Sequence, residues 1–282
     1  VSVLIAGCGD LGTEIGLRFA DAGYQVAGIR RSPEVLPDPI TGLRCDLATQ
    51  RPPVPTETKI VVMATSPDAR TEDAYRAAYL RSLEHLLDGL DAADTTVERM
   101  ILVSSTAVHD TNDGGWITED SATEASTATA AVLAETERLL HARLPQATIL
   151  RLAGLYGPGR TRLIDRVRTG TAQLPSTKRY TNRIHRDDAA AAIVHLATAV
   201  SDPASVYLGA DDEPCPRADV MRFLADEIGA TLLPAADSGD LNAPSGKRVS
   251  NRRLTGTGFA LRYPTYRHGY RAILSTDGVR HP

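Results

Sequence analysis

The chain opens with Val1 Ser2 Val3 Leu4 Ile5 Ala6 Gly7 Cys8 Gly9 Asp10 Leu11 Gly12, and the reading of this stretch decides the fold. A short apolar, β-branched run leads straight into Gly-x-Gly-x-x-Gly. The periodicity then changes to that of a helix, with Leu11, Ile15, Leu17, Phe19 and Ala22 at the apolar positions. Strand, tight turn and helix in this order form a dinucleotide-binding unit. Gly7 lets the chain turn, Gly9 lets a pyrophosphate approach the backbone, and Gly12 lets the helix lie close on the strand. The helix N-terminus, beginning at Asp10 and Leu11, turns unpaired N–H groups and a partial positive charge toward the phosphates.

Composition sets the bounds around this unit. The chain has 282 residues, of which 42% are hydrophobic and 23% charged, enough for one large or two modest globular domains. A net charge of -4 with no long block of like charge gives no general attraction to nucleic acid or to an anionic membrane. Cys8, Cys45 and Cys215 lie far apart and lack metal-ligand spacing, so they read as reduced thiols, and no metal site is expected. No signal-like or membrane-length apolar run occurs, which leads to an expected cytoplasmic location. A monomer or homodimer is expected.

The second strand, Gln25 Val26 Ala27 Gly28 Ile29, ends in Arg30 Arg31 Ser32. NAD-selective folds carry an acidic residue there to hold the adenosine ribose; two guanidinium groups and a hydroxyl suit a 2′-phosphate instead. NADP (NADPH) is therefore favoured over NAD. Asp46, followed by Leu47, ends a third short strand at 43–45 and reads either as a residue at the adenine edge or as a turn aspartate. A buried strand at 59–64 runs into a crevice loop, Thr65 Ser66 Pro67, and an amphipathic helix follows with Tyr79, Leu83, Leu86, Leu87 and Leu90 on one stripe. The fifth strand ends in Ser104 Ser105 Thr106 Ala107 Val108 His109. A sixth breaks into Leu155 Tyr156 Gly157 Pro158 Gly159 Arg160, and Ile184 His185 Arg186 Asp187 Asp188 introduces an alanine-rich helix with Asp187 or Asp188 as its cap.

The glycine motif, the Ser-Ser-Thr strand end, the Tyr-Gly-Pro-Gly turn and the Ile-His-x-Asp-Asp segment, in this order, resemble the extended short-chain dehydrogenase/reductase family, the NAD(P)-dependent epimerase/dehydratase group. The resemblance spans nearly the whole chain. It implies an α/β fold with a doubly wound parallel Rossmann sheet, formed by 1–155 and 185–205, and a smaller discontinuous substrate domain, 156–184 and 206–282. It also implies a pyrophosphate loop of Gly7, Gly9, Asp10, Leu11 and Gly12, with Arg30 and Arg31 at the 2′-phosphate and Asp46 and Leu47 at the adenine edge. Ala64, Thr65 and Ser66 would lie over the ribose, Ala153, Gly154 and Leu155 would border the nicotinamide, and Ser105 would supply the catalytic hydroxyl.

The family's Tyr-x-x-x-Lys pair does not carry over. Its places fall on Thr129 and Leu133, and no tyrosine or lysine occurs between Trp116 and Leu155. His109, where the family often has a tyrosine beside the substrate, is the replacement acid to consider, its alternative being a loop residue that shapes the pocket. Arg160 and Arg183 are the candidate anchors for an anionic substrate. The basic run Lys247 Arg248 with Arg252 Arg253 reads as a solvated face or as a second anion site. Two functions are compatible with these residues: an NADP-dependent oxidoreductase or epimerase-like enzyme acting on a small, anionic carbonyl or hydroxyl substrate, or a catalytically silent NADP-binding sensor or interaction module.

Overall fold

A computed structural model describes residues 2–235, 244–275 and 278–282; Val1, 236–243 and 276–277, which the sequence division assigns to the two domains, lie outside the described residues. In chain order the first elements are β1 (Ser2–Ala6), α1 (Asp10–Asp21), β2 (Gln25–Arg30), β3 (Ile40–Arg44) and β4 (Thr58–Met63). Next come α2 (Glu72–Tyr75) and α3 (Ser82–Ala92), joined by a π-helical segment Arg76–Arg81, then β5 (Arg99–Ser105), β6 (Asp113–Ile117) and α4 (Ala128–Arg143). β7 (Thr148–Leu152), β8 (Gly154–Tyr156), α5 (Arg162–Arg168), β9 (Lys178–Thr181), β10 (Arg183–His185) and α6 (Arg186–Thr198) follow. The last elements are β11 (Val206–Gly209), β12 (Cys215–Pro216), α7 (Arg217–Ile228), β13 (Pro244–Val249), α8 (Arg252–Thr255) and α9 (Tyr266–Leu274).

Seven parallel strands form the main sheet in the order β11-β7-β5-β4-β1-β2-β3. The order reverses at β1, and the crevice outside the carboxyl ends of β1 and β4 is where such sheets bind ligands. Both faces are covered, so the strands alternate between two apolar layers rather than between core and water. On β1, Val3 and Ile5 pack into a layer with Leu11, Ile15 and Phe19 of α1 and with Ile193 and Leu196 of α6. Leu4 and Ala6 pack into the opposite layer with Leu83, Leu86, Leu87 and Leu90 of α3 and Leu140 of α4.

The doubly wound parallel architecture expected from the sequence is thus present, with one correction. β11, which the sequence division places in the second domain, is the edge strand of the main sheet. It pairs in parallel with β7 and buries Tyr207 and Leu208. Leu254 and Phe259 of the same late segment pack in the layer of α1 and α6. Above the carboxyl ends of the strands, α5, α7 and α9 gather around Ile164, Val167, Val220, Leu224, Tyr266 and Tyr270. A four-stranded sheet, β12-β9-β13-β6, completes this upper layer. Among the described residues no helix is long and apolar enough to cross a membrane.

The turn after β1 packs backbone against backbone. Gly7 has φ +89°, and a Cβ there would lie 2.7 Å from the Thr65 amide nitrogen. A Cβ on Gly12 would press into the Gly7 carbonyl oxygen, a backbone atom that cannot move aside. Replacing Gly12→Ala should therefore destabilise the fold by about 2–3 kcal/mol, read as a lower urea midpoint with unchanged slope. An unchanged midpoint would show that α1 does not need this close approach.

Candidate cofactor and active site

A cavity of about 350 Å³ opens at the carboxyl ends of β1, β2 and β4. Gly7, Cys8 and Gly9 form one wall, and Ile29, Arg30, Arg31 and Ser32 a second. Asp46 and Leu47 lie at its edge, and Ala64, Thr65 and Ser66 stand opposite. The structure thus brings together, from four separate connections, the residues assigned by resemblance to the adenosine half of a dinucleotide. Asp68 and the helical residues Ala74, Ala77, Ala78 and Ser82 also line the cavity. The sequence reading missed them, although their small side chains at helical spacing mark a face that a ligand or backbone can approach.

The loop fits a dinucleotide by its shape. A Cβ on Gly9 would meet no atom within 4 Å, so that glycine is not required by packing and leaves its backbone open to a ligand. Gly9 accepts the Thr13 N–H at 2.7 Å, which starts α1, and its own N–H donates to the Gly7 carbonyl at 2.9 Å, so the helix's first amides, at 10–12, are the ones that face an anion. The carboxylate of Asp10, by contrast, turns away from the opening. It receives Arg186 Nη1 at 2.9 Å, Arg160 Nη2 at 3.0 Å and the His281 N–H at 3.2 Å. Arg186, 2% exposed, also reaches the Val279 carbonyl and pairs with Asp187. One guanidinium therefore ties α1, α6 and the 278–282 segment together around an acidic residue whose charge it neutralises.

Several sequence expectations need correction here. Arg160 is held by Asp10 at the start of α1, and Arg183 lies in the upper layer, 8% exposed, donating to Thr181 Oγ1 at 2.9 Å and to Cys215 Sγ at 3.3 Å. Both guanidinium groups are engaged and lie on different elements, so they do not form one anion-binding fork. The cap of α6 is His185, whose Nδ1 accepts the Asp187 N–H at 3.2 Å. Asp188 instead accepts the N–H groups of Arg262 and Tyr263, stitching α6 to the chain ahead of α9. The basic run at 247–253 does not form a single patch. Lys247 donates to the His109 carbonyl, Arg248 lies between the rings of Trp116 and Tyr180 at 5.1 and 5.0 Å, and Arg253 pairs with Asp120.

His109 is the largest correction. It is 1% exposed; Nδ1 donates to the Ala122 carbonyl at 3.0 Å, and Nε2 faces the Arg151 guanidinium at 3.1 Å. Arg151 is paired in turn with Glu137 at 2.7 Å, and Glu137 accepts the Ser104 hydroxyl at 2.6 Å. Burial, reinforced by the charges of Arg151 and Lys247, pulls the imidazole down to about 4. It is a neutral, buried residue with both ring nitrogens engaged and does not line the cavity, so it is not placed to donate a proton to a ligand there. Its neighbour in the strand end, Ser105, is half-buried, and its Oγ accepts the Ala107 N–H at 3.2 Å, leaving the hydroxyl proton to donate. Ala153 follows the neighbouring strand β7, and the exposed Gly154 and half-buried Leu155 begin β8, which pairs with β10.

The helix that carries the family's Tyr and Lys is present as α4, capped by Thr127 Oγ1 on the Ala130 N–H. Thr129 lies half-buried in its first turn, and Leu133 is 2% exposed, part of the packed face. Tyr79, on the π-helical segment against α4, is pushed up to about 12 by burial and so is not primed as an acid.

The sign of the His109 shift gives a pH prediction. An unfolded histidine titrates near 6.5, so between about pH 6.5 and 4 the unfolded chain binds more protons than the folded one, and stability falls as pH falls. His109→Asn should remove up to about one proton from that slope in urea midpoints taken across the window. An unchanged slope would place the imidazole in contact with solvent.

No family model matches the chain. Protein YeeZ of Escherichia coli strain K12 is 28% identical over 273 residues, covering 93% of this chain and 96% of that protein. A solved structure from Methylobacillus flagellatus, described as an NAD-dependent epimerase/dehydratase, is 33% identical with a TM-score of 0.81 and covers 98% of both chains. MoeE5, solved in complex with UDP-glucose and NAD, shares the fold at a TM-score of 0.80 over 96% of both chains, with 19% identity. With the crevice at the β1 switch point and a relative 33% identical over 98% of both chains, the chain belongs to the NAD-dependent epimerase/dehydratase family, an extended branch of the short-chain dehydrogenases/reductases.

Proposed function

We propose that this protein is an NADP(H)-dependent oxidoreductase or epimerase-like enzyme acting on a small carbonyl or hydroxyl substrate. The observation that carries the cofactor choice is the end of β2. Arg30, Arg31 and Ser32 line the adenosine cavity where an NAD-selective fold presents a carboxylate. Gly7, Gly9 and the first turn of α1 would hold the pyrophosphate, and Ala153, Gly154 and Leu155 would border the nicotinamide. The bound cofactor would supply or accept a hydride. Ser105 Oγ would donate to the substrate oxygen and hold it in line, and the accompanying proton would come from water, since neither His109 nor a Tyr-Lys pair is available to deliver it. UDP-glucose, a ligand of the MoeE5 structure, makes nucleotide sugars the first substrate class to assay. With Arg160 and Arg183 engaged elsewhere, an anionic substrate has lost the two anchors expected for it.

A binding module without turnover is the competing reading, favoured by the burial of Leu133 at the lysine place. Turnover separates the two. Ser105→Ala should lower kcat at least about tenfold while leaving NADPH affinity within about twofold. If the wild-type protein binds NADPH and transfers no hydride to any substrate in a panel of sugars, sugar nucleotides and small carbonyls, the module reading replaces the enzyme.

Two substitutions test the cofactor site. Gly9→Ala, with open space at its Cβ, should leave stability within about 0.5 kcal/mol and weaken NADPH and NADH alike. Replacing Arg30 and Arg31 together by Ala should weaken NADPH at least about tenfold and NADH by less than about threefold, because only the 2′-phosphate uses those charge-assisted bonds. Equal weakening of both cofactors in titration would remove the 2′-phosphate assignment.

A further inference from the structure

Arg31 does not hang free at the end of its strand. Its Nη1 and Nη2 reach the two carboxylate oxygens of Asp68, at 3.1 and 3.4 Å. Asp68 lies beyond β4, and β4 and β2 flank β1 on opposite sides in the sheet, so their ends stand roughly 10 Å apart. The pair therefore spans the cavity, with both residues lining it. The neighbouring guanidinium groups also have partners. Arg44 donates to the Arg31 carbonyl at 2.7 Å and pairs with Glu34, while Arg30 donates to the carbonyls of Cys8 and Pro282 at 3.3 and 3.0 Å. Asp46 adds a second negative charge within electrostatic reach of Arg31.

We infer that Asp68 sets the cofactor selectivity of this cavity by competing with the cofactor's 2′-phosphate for Arg31. This inference rests on the NADP reading above. The ion pair is exposed, 66% and 75% for its two side chains, so it opens at little cost. What persists after it opens is the Asp68 carboxylate on the cavity wall, facing a phosphate monoester of nearly two negative charges. NADP(H) must both take Arg31 from its partner and tolerate that repulsion. NAD(H), with only a hydroxyl at the same carbon, leaves the pair intact. Asp68 thus holds the preference for NADP(H) below what two arginines would otherwise give, and lets a phosphorylated cofactor leave after turnover.

The sign follows from the charges whichever way Asp68 moves. Removing its charge spares NADP(H) the competition and the repulsion, and spares NAD(H) at most the competition. The test uses Asp68→Asn with two probes that fill only the adenosine half, adenosine 2′,5′-bisphosphate and adenosine 5′-monophosphate, in calorimetric titrations at low and high salt. Asp68→Asn should tighten the bisphosphate about three- to tenfold and the monophosphate less than about twofold, with the gain shrinking as salt rises. In an Arg31→Ala background the gain should fall, because the competition term disappears with the arginine. NADPH and NADH should follow the two probes. Unchanged or weaker bisphosphate binding in Asp68→Asn, or equal tightening of both probes, overturns the role of Asp68 while the wild-type preference for the bisphosphate keeps the NADP reading. A wild-type protein that binds the two probes equally overturns the NADP reading itself, and the role of Asp68 with it.

Discussion

The close approach of backbone to backbone at the first turn is the constraint on which the rest of the structure depends. Gly7 takes a positive φ and lies against the β4 loop, and Gly12 lies against the Gly7 carbonyl. Only this approach lets α1 begin directly above the carboxyl end of β1, so that its free amides face the crevice. It also brings the β4 loop, with Ala64, Thr65 and Ser66, against the glycine turn as the far wall of the cavity. A single side chain added at either glycine would separate the helix, the strand end and the loop that together make the binding wall.

Around this turn the molecule solves an electrostatic problem. Asp10 places a carboxylate at the helix end meant for an anion, and Arg160 and Arg186 draw that carboxylate outward and neutralise it. Because Arg186 is almost fully buried and also holds the Val279 carbonyl, the same contact fixes the 278–282 segment beside the glycine turn. Buried charges need such pairing to be tolerated. The pairing links α1 to α6, whose Asp188 holds the segment leading into α9, so the upper layer is registered on the sheet through the cofactor end.

A second buried network lies behind the strand end that bears Ser105. Ser104, Glu137, Arg151 and His109 form a chain of hydrogen bonds from β5 through α4 and β7 to the loop after β5. Glu137 ties α4 into this network, in a helix whose first turn has no tyrosine and whose packed face has no lysine. The helix contributes packing, with Leu133 and Leu140 buried.

Sequence alone determined the Rossmann unit, because strand, glycine turn and helix at the amino terminus are local patterns with local causes: period 2 giving way to 3.6, and glycine where a side chain has no room. It also named residues that line the cavity at the strand ends, since each follows directly from a strand end that hydrophobic patterning identifies, and it contains no tyrosine or lysine between Trp116 and Leu155. Tertiary structure decided what each long polar side chain does. His109 looked free because its partner Arg151 is 42 residues away, and Arg160 looked free because Asp10 is 150 residues away. Asp68 gave no signal in the sequence because its meaning depends on the sheet order that sets β4 and β2 on either side of β1. β11 escaped the sequence division for the same reason: four residues show too little pattern to reveal that an edge strand has returned to the first sheet. Backbone geometry is written in neighbouring residues, whereas the partners of charged and aromatic groups are chosen by which distant strands the fold brings side by side.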